Sequence, residues 1–110
     1  MSKPLICIES PWAGLGGGEK AKKYLRACIR DVLARDEIPW ASHVMLAWTD
    51  ALMDSDLEQR EEGIACNKEM ALRCDLIVFY TDFGMSPGMT RLKTFAAMRG
   101  LKTDKRTIYS

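Results

Sequence analysis

RCDLIVFYTDFGMSPGMTRLKTFAAMRG, residues 73–100, reads as strand, loop and helix in succession. Leu76–Tyr80 is a continuous apolar run of β-favouring residues, the pattern of a strand buried on both faces. Thr81–Gly88 holds the punctuation: Asp82, Gly84, Ser86, Pro87 and Gly88. Met89–Met98 then reads as a helix closed by Gly100. Ligands of an open parallel sheet gather beyond the carboxyl ends of its strands. That edge is where Asp82, Ser86, Gly88 and Met89 would stand. A helix start offers unpaired N–H groups and partial positive charge to an anion. The same residues also fit a plainer role, Ser86 as a helix cap and Gly88 as a turn former. Both readings stay open on this stretch.

Working outward, residues 5–9, LICIE, form a first buried strand, stopped by Ser10-Pro11 because proline cannot continue a central strand. Glu9 closes that strand, either facing a site at the sheet edge or held in an ion pair. Residues 13–20, AGLGGGEK, place Gly14, Gly16, Gly17 and Gly18 in a strand-to-helix turn. Glycines there permit positive φ and close approach to a phosphate. The spacing is neither G-x-G-x-x-G nor the G-K-[ST] ending of a P-loop, so a flexible loop is the alternative.

Glu19–Arg35 reads as a helix with Ala21, Tyr24, Leu25, Cys28, Val32 and Leu33 on its apolar face. Lys20 either joins its solvated side or faces the anion site. Residues 38–41 make a short second strand that delivers Ser42-His43 to the same sheet edge. His43 is the single histidine, the one side chain whose ordinary pKa lies near neutrality. Residues 44–54 form a short helix or a lid. Ser55 and Glu58 fit a capping box that opens a helix to Arg73, with Leu57, Ile64, Ala71 and Leu72 buried and Asn67 near that face. Residues 105–110 form a last strand. Short strands alternating with helices predict one α/β domain over residues 1–110, with a mostly parallel sheet of four or five strands.

Sixteen basic residues balance 15 acidic ones, for a net charge of +1. No dedicated nucleic-acid surface is expected from that balance. No long apolar run or signal peptide is evident, which predicts a cytoplasmic protein with no membrane partner. Cys7, Cys28, Cys66 and Cys74 form no C-x-x-C, so neither a zinc site nor any other metal or cofactor is expected.

In order and spacing, several of these pieces together resemble the nucleoside 2-deoxyribosyltransferase-like superfamily, most closely its small branch from bacteria and phages. They are Ser10-Pro11, the glycine-bearing loop, Ser42-His43, Arg60-Glu61-Glu62-Gly63, Asn67, Arg73-Cys74-Asp75, the apolar strand, and Ser86-Pro87-Gly88-Met89. The resemblance implies a Rossmann-like or flavodoxin-like three-layer domain that associates as a homodimer or larger homo-oligomer. It implies a nucleoside or nucleoside 5′-monophosphate as ligand, and cleavage or transfer at the N-glycosidic bond. Ser86 and Gly88 carry over to the 5′-phosphate, and Gly14, Gly16 and Gly17 to the pocket lining with Ser10 and His43. The family's nucleophilic glutamate falls six residues after the motif serine, where this chain has Leu92. The remaining candidates for a catalytic carboxylate are Glu9 and Asp82. If the chemistry is lost, the domain is instead a nucleotide sensor or scavenger.

Overall fold

The computed structural model describes residues 2–53 and 55–109. Four strands, β1 (Leu5–Glu9), β2 (Ile38–Trp40), β3 (Leu76–Tyr80) and β4 (Thr103–Arg106), alternate with three long helices. These are α1 (Glu19–Ala34), α2 (Leu57–Ala71) and α3 (Pro87–Arg99). All strand pairs are parallel, and the sheet order is β2-β1-β3-β4. The chain steps one way from β1 to β2 and the opposite way from β2 to β3 and β4. Right-handed crossovers then put α1 on one face and α2 with α3 on the other. The result is a three-layer domain of flavodoxin-like strand order.

Side-chain alternation along β1 and β3 sorts the core into two halves. Ile6, Ile8, Val78 and Tyr80 pack with Ala21, Tyr24, Leu25, Cys28 and Val32 of α1. Cys7, Ile77 and Phe79 pack with Ala71 of α2 and with Met89, Leu92 and Ala96 of α3. The edge strands are weaker in apolar content for a physical reason. Pro39 sits in β2, where one side of the backbone needs no partner, and β4 carries Thr-Asp-Lys-Arg, charges that discourage a further strand.

Several expectations shift. The sheet has four strands, and the last is Thr103–Arg106 rather than residues 105–110, of which Ser110 lies outside the described residues. Helix α2 starts at Leu57, so its cap is Asp56, which accepts from the Gln59 N–H at 3.1 Å, and not Ser55. Leu57 is 78% exposed instead of buried, because it occupies the first position of the helix, ahead of the turn that meets the sheet. Leu33 is 56% exposed, one residue and about 100° round from the buried Val32. Within residues 44–54, the stretch His43–Trp48 forms a single π-helical segment, and Asp54 lies outside the described residues.

Candidate functional site

The step reversal between β1 and β3 sends the loops after these strands in opposite directions, which opens a crevice between them. A cavity of about 120 Å³ occupies this crevice on the α2–α3 side. Its walls include residues from four places. Glu9, Ser10, Trp12 and Gly14 follow β1, and Ser42 and His43 follow β2. Gln59, Arg60 and Asn67 come from α2, while Ser86, Gly88, Met89 and Leu92 come from the start of α3.

Glu9 has the same parity as Cys7 on β1, so it turns toward α2 and not α1. It is only 5% exposed. Asn67 Nδ2 donates to Glu9 Oε2 at 2.7 Å. The Cys7 thiol in turn donates to Asn67 Oδ1 at 3.7 Å. The amide is thereby oriented with its NH₂ toward the carboxyl. Burial pushes the Glu9 carboxyl up to about 7, and the Asn67 bond offsets only part of that. Among the described residues lining the cavity, Glu9 is the one carboxylate. Beside it, the Ser10 hydroxyl is buried, and among the described residues no hydrogen-bond partner reaches it.

The other end of the cavity is the start of α3. Ser86 has extended backbone, and its Oγ accepts from the Met89 N–H at 3.2 Å, while the Ser86 N–H donates to Met89 Sδ at 3.5 Å. Pro87 sits at the first helical position, where its missing N–H costs nothing. Capping occupies the acceptor side of the Ser86 hydroxyl and leaves its proton to be donated. A Cβ added at Gly88 would meet nothing within 4 Å, so the fold does not require glycine there and the space above it is open. No acidic residue lies in the first turn of α3. Arg60, from the first turn of α2, adds a cation to the lining. This end is therefore suited to an anion.

Position 92, where the family resemblance calls for a carboxylate, holds a leucine that is 3% exposed, packed in the α3 core and lining the cavity. His43 lines the cavity with its ring stacked on Trp12, centroids 5.3 Å apart and 12° from parallel. Trp12 is buried, so it supports His43 and offers no open ring face of its own.

Four residues considered for the site lie elsewhere. Asp82 has the parity of Tyr80 and turns to the α1 side. Its carboxylate accepts from Tyr24 Oη at 2.6 Å and from the N–H groups of Ile108 and Tyr109 at 2.9 Å each. Partial burial works to raise its pKa, but those hydrogen bonds outweigh it and hold the group below the usual carboxylate range. Asp82 is thus an anchor for the segment after β4. Gly16 and Gly17 do not line the cavity. They adopt φ of +84° and +63° to turn the chain into α1, and Gly17 lies against the Trp12 indole. Lys20 sits over the Phe83 ring, 5.0 Å from its centroid, on the α1 side.

Asn67 and Gln59 are polar lining residues that residue-by-residue reading did not assign to the site, whereas it placed Arg60 near the ligand-binding edge. Asn67 carried a signal: an amide on an apolar helix face must find a partner. No helix among the described residues is long and apolar enough to cross a membrane. No curated protein matches the chain in sequence. A family described as a domain of unknown function, DUF7768, matches residues 4–106, which include every strand and helix described above. The chain belongs to that family.

Proposed function

We propose that the cavity binds a nucleoside 5′-monophosphate, and that the domain works as a nucleotide-binding module. The observation that carries this reading is the presence of two unlike groups in one crevice: an anion-accepting helix start (Ser86, Gly88 and Met89, with Arg60) and a buried polar pair (Glu9 and Ser10) line the same cavity. A sugar 5-phosphate has the same polarity along its length. The resemblance to nucleoside 2-deoxyribosyltransferases supports the choice of ligand. Leu92 supports binding over the family's covalent chemistry, because a buried leucine cannot attack an anomeric carbon.

One observation favours a second reading, N-glycosidic cleavage through a relocated carboxylate. Glu9 lines the cavity with its pKa raised to about 7, a value suited to acid–base work at neutral pH. Self-association is also part of the proposal. It is supported by an apolar groove of Ile29, Leu33, Val44 and Trp48 between α1 and the His43–Trp48 segment, bordered by Arg26 and Arg30.

The test is a panel of nucleosides and their 5′-monophosphates, read by thermal shift and by release of free base. A ligand that binds only the folded state raises the melting temperature by mass action. Stabilisation by monophosphates, weaker with the nucleosides and without base release, is the expected result. Base release that disappears in Glu9→Gln would favour the second reading. No stabilisation across the panel would overturn the proposal.

A further inference from the structure

We propose that the deep end of the cavity selects ribose over 2′-deoxyribose, the Glu9 carboxylate and the Ser10 hydroxyl taking the vicinal 2′- and 3′-hydroxyls of the bound nucleotide. The inference rests on the monophosphate reading and adds the identity of the sugar.

Both groups are buried and both have unused hydrogen-bonding capacity. Glu9 Oε2 accepts from Asn67, and a carboxylate has further acceptor sites to offer. Ser10 is 1% exposed, and its Oγ has no hydrogen-bond partner among the described residues. Buried polar groups are nearly always satisfied, so the unpartnered Ser10 hydroxyl beside the buried Glu9 carboxyl marks a place where something else supplies a bond. A vicinal diol matches the pair. Each hydroxyl is both donor and acceptor, a carboxylate oxygen only accepts, and a serine hydroxyl does either.

Position along the ligand fits as well. With the phosphate at Ser86–Met89, the part of the ligand that reaches Glu9 and Ser10 is the sugar attached to it. The base then extends along the rest of the lining, which includes His43 stacked on Trp12. The neighbouring wall is apolar, with Leu92, Leu46 and Leu52. A 2′-deoxy sugar would leave Glu9 Oε1 or Ser10 Oγ buried and unpaired against that wall. Sites built to bond a substrate hydroxyl reject the analogue that lacks it for this reason. Asn67 is the positioning residue, holding the carboxyl from α2.

The test is titration calorimetry with the four common ribonucleoside 5′-monophosphates, their 2′-deoxy counterparts, and the base-free pair ribose 5-phosphate and 2-deoxyribose 5-phosphate. Wild-type protein is expected to bind each ribo ligand at least about tenfold tighter than its deoxy partner, the value of one hydrogen bond to a charged or buried group. Glu9→Gln and Ser10→Ala, each checked for folding by thermal unfolding, should each weaken the ribo ligands about tenfold. The variant at the residue that takes the 2′-hydroxyl should leave the deoxy ligands within about threefold, so that discrimination collapses, while the variant at the residue that takes the 3′-hydroxyl should weaken both series. Equal affinity for ribo and deoxy ligands in the wild type overturns the sugar assignment and leaves monophosphate binding standing. If both variants weaken both series alike, the assignment is overturned too. Absence of binding by every probe overturns the monophosphate reading and the sugar assignment with it.

Discussion

Asn67 Nδ2 donates to Glu9 Oε2 at 2.7 Å, and this single bond joins the middle of α2 to the end of β1 at the floor of the cavity. The two residues are 58 positions apart in the chain. Their meeting depends on the crossover that carries α2 over the sheet face to which Glu9 points. The thiol of Cys7 completes the arrangement by holding the other end of the amide at 3.7 Å.

Glu9 should make stability depend on pH in a defined window. Its folded pKa of about 7 lies above its ordinary 4.5, because burial disfavours the charge. A raised folded value means that stability is fully present below pH 4.5 and is lost as pH rises through 7. The loss amounts to about 3 kcal/mol when complete. Urea unfolding of wild type and Glu9→Gln at several pH values checks this. The variant should match wild type near pH 4.5 and exceed it by about 1–3 kcal/mol at pH 8, since glutamine can still accept from Asn67 and needs no ionisation. The groups that share this environment are Cys7 on the same strand, Arg60 and Asn67 from α2, and His43 across the cavity, with only uncharged residues of α3 facing in. A flat difference across pH would contradict the assignment.

Asn67→Leu removes the one donor to a buried carboxyl. Glu9 should then titrate higher still, and the protein should lose about 1–3 kcal/mol at pH 7. Carbon-detected NMR of the Glu9 carboxyl reads the first effect, and denaturant unfolding reads the second. An unchanged Glu9 titration would show that the bond does not govern its charge.

Gly88 and Asp82 separate ligand from fold. Gly88→Val adds bulk where the structure has open space, so unfolding should move by less than about 1 kcal/mol while monophosphate binding is lost. Asp82→Asn weakens the anchor for Ile108 and Tyr109. It should cost about 1–3 kcal/mol of stability and leave ligand affinity unchanged. The reverse assignment of effects would put Asp82 back at the site.

Arg106 and Glu37 form a bidentate pair at 2.7 and 2.9 Å with side chains 8% and 13% exposed. The pair ties edge strand β4 to the turn before β2, at the opposite edge. Arg106→Met leaves the Glu37 carboxylate half-enclosed and unpaired, and the expected cost is about 3 kcal/mol in urea unfolding. A change below about 1 kcal/mol would mean that Glu37 regains water freely.

The fold was legible because its two central strands, LICIE and LIVFY, are continuous apolar runs and its helix α3 carries both a start and a stop. Glu9 and Ser86 were legible as site candidates because each stands at the carboxyl end of such an element. The side of the sheet was harder to read. Asp82 and Glu9 both follow central strands, yet opposite parity sends one to α1 and the other to α2. Parity decides only once the register of each loop is known. The glycines of residues 14–18 were read as one group, although only Gly14 reaches the cavity. Positive φ at Gly16 and Gly17 is a demand of the turn, and composition cannot tell that from a demand of a ligand. The helix start at Asp56 was missed because Ser55-x-x-Glu58 and Asp56-x-x-Gln59 are both caps on paper, one residue out of register.

The most direct measurement is a ¹H–¹⁵N correlation titration of the whole chain with adenosine 5′-monophosphate and its three common counterparts. Binding at the crevice predicts saturable shifts at the amides of Gly88 and Met89, at Ser10, and at the Asn67 side-chain NH₂, with the α1 face and β4 unmoved. Shifts confined to α1 or scattered over the surface, or none up to millimolar ligand, would contradict a nucleotide site between β1 and β3.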